Sequence, residues 1–134
     1  MSLPPVGTMS ERTWIVGREH LASSFGSGLV DALATPVLVG FCEECARALV
    51  DQALAPRQQT VGTRIELEHL AATPLGMSVV VRATLTSVDD RSLCFAVEAR
   101  DDEDIIGRGT HERFIVDAER FAQGVARKRS LRED

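Results

Sequence analysis

Ala34-Thr35-Pro36-Val37-Leu38-Val39-Gly40-Phe41-Cys42-Glu43 is the stretch on which the reading of this chain turns. Thr35-Pro36 opens a helix. A threonine hydroxyl caps free N–H groups, and proline in the first helical position gives up no hydrogen bond. The pattern carries the helix to about residue 54, and Pro56 bars its continuation. Its first two turns, 37–42, are apolar on every side, which predicts a helix buried on most faces. The second half is amphipathic, with Glu44, Arg47 and Asp51 on one stripe and Cys45, Leu49 and Ala53 opposite.

Downstream of Pro56 the period changes from helical to alternating. Val61, Thr63, Ile65, Leu67 and His69 share one face of a strand, and Arg64, Glu66 and Glu68 share the other. Thr73-Pro74-Leu75-Gly76 is a turn. A second strand over 77–88 places Val79, Val81, Ala83 and Leu85 on one side. Asp89-Asp90-Arg91 joins it as a hairpin to 93–100, where Leu93, Phe95, Val97 and Ala99 face one way. After a turn at 101–104 comes a strand over 105–116, and Asp117 caps a short terminal helix to about residue 127. Upstream, 12–20 reads as a first strand. The Ser- and Gly-rich 21–31 reads as a mobile loop placed to act as a lid over the helix start.

The order is strand, loop, buried helix, then four strands joined by short turns. It predicts an α+β domain in which an antiparallel sheet wraps one long helix, the pattern of the hotdog fold. A single such sheet leaves an edge strand and an open helix end, so a homodimer is expected. The domain spans 12–127, with a loose N-terminal arm at 1–11 and a charged C-terminal tail at 128–134.

The chain has 134 residues, room for one domain with a real core. The net charge of -5 disfavours a nucleic-acid partner. The cluster Arg127-Lys128-Arg129 reads as solvated tail beside Glu133 and Asp134. No apolar run reaches membrane-spanning length and no signal-like start is present, so the expected location is the cytoplasm. Three cysteines argue against a disulfide framework. The C-x-x-C spacing of Cys42 and Cys45 lies inside the helix and reads as small buried side chains.

Thr35, Glu43 and His69 are the candidates for chemistry, because a hydroxyl, a carboxylate and an imidazole together can run acyl transfer or hydrolysis. Each also has a plain reading. Thr35 alone is an N-cap. Glu43 follows an apolar run, where a carboxylate is costly unless paired or used; an i,i+4 pair with Arg47 is the alternative to a catalytic base. His69 alone is a satisfied core histidine. His111 shares parity with Gly107, Gly109, Arg113 and Ile115, and the two glycines let another backbone or a ligand approach closely. His20 has nothing to recommend it. Three scattered histidines make no metal site.

Ala34-Thr35-Pro36 with Glu43, Gly62-Thr63 with His69-Leu70-Ala71-Ala72-Thr73-Pro74, and Gly107-Arg108-Gly109-Thr110-His111-Glu112-Arg113 keep a joint order and spacing. In these the chain resembles the fluoroacetyl-CoA thioesterase family of hotdog-fold acyl-CoA thioesterases, over roughly 14–127. The resemblance implies that Thr35, Glu43 and His69 are catalytic and that Gly62 and Arg113 lie at the substrate. It also implies an active site at a dimer interface and no cofactor beyond the coenzyme A of the substrate. The family's fluoroacetyl-specific member carries phenylalanines ahead of the catalytic threonine; here Leu29 and Leu33 stand in those places. The implied reaction is hydrolysis of a small acyl thioester to an acid and free coenzyme A. A non-catalytic acyl-CoA or small-ligand binder, and an enoyl-CoA hydratase or dehydratase of the same fold, are the alternatives.

Overall fold

Alternating apolar side chains make five strands, and they hydrogen-bond into one sheet. The computed structural model describes residues 2–133. Strand β1 is Met9–Ile15, followed by a 3-10 turn at Arg18–His20 and a four-residue helix α1, Ala22–Phe25. Helix α2 is Thr35–Asp51. Strands β2 (Gln58–His69), β3 (Ser78–Asp89), β4 (Ser92–Arg100) and β5 (Ile105–Asp117) follow, and helix α3, Ala118–Glu133, closes the chain. The sheet order is β1-β3-β4-β5-β2, with every neighbour antiparallel. Both β1 and β2 are edges.

One face of the sheet packs on α2. Val79, Val81, Ala83 and Leu85 of β3 and Leu93, Phe95, Val97 and Ala99 of β4 are buried, as their parity predicts. They meet Leu38, Phe41, Cys42, Cys45, Ala46 and Val50 of α2. Trp14 of β1 stacks on Phe41, with ring centroids 4.2 Å apart, and His20 meets Phe41 edge-on. His20 Nδ1 also accepts the Gly17 N–H at 2.9 Å, a structural use of that histidine. The opposite face is polar. Glu11, Arg82, Glu98, Arg108 and Glu68 stand in register across all five strands, an alternation of charge that suits a solvated face.

Several boundaries differ from the sequence reading. The first strand lies at Met9–Ile15, not 12–20, because Gly17 and the 3-10 turn end it early. The segment 21–31 is not wholly loop, since α1 forms within it. Helix α2 stops at Asp51, and α3 runs beyond residue 127 through the basic cluster, whose long side chains favour a helix. The start of α2 is not enclosed. Pro36, Gly40 and Arg47 are exposed along one stripe with half-exposed Glu43 between them, because a sheet in one chain covers one side of a helix.

The largest departure is in β2, where the pairing with β5 slips between Gly62 and Arg64. Thr63 is the extra residue, and its Oγ1 donates to the Glu112 carbonyl at 3.1 Å. A bulge of this kind inverts parity beyond it. Thr60 and Gly62 face α2 before the bulge, and Ile65, Leu67 and His69 after it. Val61 and Thr63 therefore do not share the face of His69.

Candidate active site

The start of α2 is not capped by Thr35. Ala34 takes the cap position, its carbonyl accepts from the Val37 and Leu38 N–H groups, and Thr35 and Pro36 are the first helical residues. The threonine hydroxyl is thereby released to the neighbouring strand. Thr35 Oγ1 and His69 Nδ1 lie 2.7 Å apart. His69 Nε2 is buried and has no hydrogen-bond partner among the described residues. Desolvation lowers the pKa of His69, with the Ala71 backbone pulling the other way, so the ring is neutral at neutral pH.

The segment leading into α2 is tied down at several points. Leu33 N–H donates to the Thr73 carbonyl at 2.9 Å, and Ala34 N–H donates to the His20 carbonyl at 2.8 Å. Thr73 is fully buried, and its hydroxyl donates to Asp101 Oδ2 at 2.8 Å. A cavity of about 380 Å³ opens beside Thr35 and His69. Its wall is largely apolar, with Ala22, Val30, Leu33, Leu70, Ala71 and Ala72. A larger concavity, about 640 Å³, lies on the charged outer face among Glu66, Glu68, Arg82 and Arg108, on the other side of the sheet from these groups.

Two turns along α2, Glu43 faces the inward part of β2 and β5. Its Oε2 is 3.8 Å from Arg113 Nη1, an ion pair in which the arginine side chain is almost wholly buried. Arg47 pairs instead with Asp51, so the i,i+4 explanation of Glu43 does not hold. Arg113 is fixed by Thr60: Nε donates to Oγ1 at 2.8 Å and Nη2 to the carbonyl at 3.0 Å. Gly62 lies against the same carboxylate. A Cβ there would stand 2.6 Å from Glu43 Oε2, so only glycine leaves room for the side chain as it sits.

Thr35 thus meets His69, and Glu43 meets Arg113 and Gly62. Among the described residues no hydrogen bond or ion pair joins the two groups. Thr35 and Glu43 are separated by roughly 12 Å of helix rise, at about 1.5 Å per residue. Strand β2 runs against α2 in the opposite sense, so His69 lies by the helix start and Gly62 by Glu43. Thr60 and His111 join the second group; Thr60 was not singled out from sequence, and His111 was noted there only for the two glycines that share its parity. Gly62, a glycine inside a strand, is the signal that could have exposed the bulge and hence the inward Thr60.

Cys42 and Cys45 are packed as small core side chains, not poised as a redox pair. Burial pushes the Cys42 thiol up to about 12, and Cys45 Sγ donates to the Ser10 and Val81 carbonyls. Among the described residues no group of three or more His, Cys, Asp or Glu side chains gathers where a metal could sit, and no helix is long and apolar enough to cross a membrane.

A long helix laid on a five-stranded antiparallel sheet, with hydroxyl, imidazole and carboxylate along one helix–strand seam, defines a hotdog-fold thioesterase. Residues 16–119 match the sequence profile of the family described as fluoroacetyl-CoA-specific thioesterase. The chain belongs to that family, and with it to the thioester hydrolases. The fluoroacetyl-CoA thioesterase of Streptantibioticus cattleyicolor is 42% identical over 99 residues, 73% of this chain and 70% of that protein. The crystal structure of a point mutant of the fluoroacetyl-CoA-specific thioesterase FlK superposes with a TM-score of 0.91 at 31% identity, covering 96% of this chain and 99% of that one. A thioesterase-superfamily member from Thermus thermophilus superposes with a TM-score of 0.90 at 25% identity, covering 96% of each chain.

Proposed function

We propose that Glu43 carries the hydrolysis of an acyl-CoA thioester, assisted by Thr35 and His69, with Gly62 and Arg113 at the substrate. The observation that carries this reading is the carboxylate itself. Glu43 lies next to a buried guanidinium and against a glycine that leaves its oxygen uncovered, at a half-exposed place on a helix. Such a carboxylate opens a thioester either by taking a proton from a water that attacks the carbonyl, or by itself bonding to the carbon and giving an anhydride that water then opens. Either route expels the coenzyme A thiolate, which needs a proton. The proton released by the attacking water balances that thiolate, and the His69 ring, 2.7 Å through Nδ1 from Thr35 Oγ1, is the group placed to pass it on.

The two residue groups lie too far apart to act on one carbonyl within one chain. A homodimer resolves this by pairing Thr35 and His69 of one subunit with Glu43 of the other. Three features support it: the unpaired edge of β2, the exposed stripe along α2 and the uncovered Glu43–Gly62 contact. The acyl group is an apolar one of a few carbons. Apart from Thr35, His69, Ser27 and Gly28, the cavity is lined by alanines and aliphatic side chains, and among the described residues no Phe, Tyr or Trp lines it. Leu29 is 98% exposed and does not close it. The free cysteines fit a reducing compartment, and the cytoplasm is the proposed location.

Free-thiol release from acetyl-, fluoroacetyl-, butyryl- and hexanoyl-CoA tests the reading. Wild-type protein should release thiol, with the longer apolar chains preferred over fluoroacetyl. Glu43→Gln should lose on the order of 10³-fold in kcat with its fold intact. Ordinary turnover by that variant would remove Glu43 from the chemistry.

A further inference from the structure

His111 is 1% exposed and lies behind the Glu43–Arg113 pair, where family resemblance assigns it nothing. Its two ring nitrogens face groups of opposite kind. Nδ1 is 2.8 Å from the Arg64 carbonyl, which can only accept, so Nδ1 carries the proton. Nε2 is 3.2 Å from Arg113 Nη1, which can only donate, so Nε2 is the acceptor. One tautomer of the neutral ring satisfies both. Protonation would set an Nε2–H against the guanidinium. Desolvation lowers the His111 pKa, and the charge of Arg113 adds to this against the Arg64 carbonyl, Glu43 and Glu112.

The Arg64 carbonyl is available to this ring at the bulge of β2, the point where the ladder to β5 is broken. Three groups then hold Arg113 at three of its nitrogens: Thr60 Oγ1 at Nε, the Thr60 carbonyl at Nη2 and His111 Nε2 at Nη1. Nη1 is also the nitrogen nearest Glu43. Of the three partners, His111 alone binds the nitrogen that faces the carboxylate.

We propose that His111 is a positioning residue: locked in its Nδ1–H tautomer by the bulged Arg64 carbonyl, it aims Arg113 Nη1 at Glu43 and so sets the carboxylate for attack. The inference rests on Glu43 being the reacting carboxylate. It accounts for a buried histidine and a strand bulge with one function, and it makes the bulge part of the active site.

Steady-state kinetics of His111→Phe, Arg113→Gln and the double variant test it. His111→Phe removes both ring hydrogen bonds at similar volume. The expected result is kcat lowered roughly tenfold or more with KM for acyl-CoA nearly unchanged. If His111 acts through Arg113, the double variant is no slower than Arg113→Gln alone. Wild-type kcat in folded His111→Phe, or losses that multiply in the double variant, would overturn the proposal. A second measurement needs no variant. ¹⁵N shifts of the His111 ring in the wild-type protein should show a protonated Nδ1 and a bare Nε2 through neutral pH; the opposite tautomer, or an imidazolium, sinks the idea. Glu43→Gln measured alongside separates the two failures. An active Glu43→Gln refutes the reading of the site, whereas an inactive Glu43→Gln beside a wild-type-like His111→Phe refutes only the role of His111.

Discussion

At the residue scale, the site depends on what is absent at position 62 as much as on what is present at 43. The Cβ of Gly62→Ala would meet Glu43 Oε2 at 2.6 Å and Arg113 Nη1 at 3.4 Å. The Glu43 side chain is the softer of the two, because Arg113 is held by Thr60 and His111. The carboxylate is therefore displaced while the strand stays. Gly62→Ala should keep its far-UV circular dichroism and melting temperature near wild type and lose roughly ten- to a hundredfold in kcat, read by thiol release. Equal loss of stability and activity would mean that the glycine serves the strand and not the carboxylate.

At the scale of elements, β2 and β5 form the seam on which the site is built. The two strands approach closely at Gly109, where a Cβ would stand 1.9 Å from the Glu66 carbonyl oxygen. That oxygen belongs to backbone and cannot rotate away. Gly109→Ala should cost about 1–3 kcal/mol, seen as a lower denaturant midpoint. An unchanged midpoint would show that the seam is looser than this spacing requires. The bulge next to Gly62 brings Thr60 and Gly62 inward ahead of it and Ile65, Leu67 and His69 after it, so one strand serves both the Arg113 cluster and Thr35.

At the scale of the whole molecule, the separation of Thr35 from Glu43 makes assembly a question of chemistry. Thr35→Ala and Glu43→Gln should each be nearly inactive alone. If every site takes Thr35 from one subunit and Glu43 from the other, a mixed dimer has one site carrying both changes and one carrying neither. Unfolding and refolding the two variants together at equal amounts should then restore about a quarter of wild-type activity, since half the dimers are mixed and half their sites intact. No recovery would place each site within one chain. The pH dependence of stability is also a global property. His69 and His111 both have pKa values below the ordinary 6.5 in the folded chain, by desolvation first. Below 6.5 the unfolded chain therefore binds more protons than the folded one, and stability falls as pH falls. Denaturant midpoints should be flat above 6.5 and decline beneath it toward the folded-state values. A midpoint that held constant through acid pH would mean that neither ring resists protonation.

The sequence by itself determined the order of the main helix and the four strands after it, and the faces that β3 and β4 present to the core. Those are local matters: Pro56 ends a helix, alternation at Val79-Val81-Ala83-Leu85 makes a half-buried strand, and Asp89-Asp90-Arg91 turns it, with Asp90 at φ 55°. Family resemblance on Thr35, Glu43 and His69 pointed to thioester chemistry ahead of any coordinates. What only the tertiary structure decided was who meets whom. Thr35 reads as a cap until the His69 ring lies 2.7 Å from its hydroxyl. Glu43 reads as a partner for Arg47 until Arg113 arrives from a strand seventy residues on. Parity in β2 failed because a bulge is stabilised by contacts with β5, which local sequence does not contain. Helix and strand periods are set by covalent geometry and burial along the chain, whereas bulges, buried ion pairs and tautomers are set by partners that the fold brings from elsewhere.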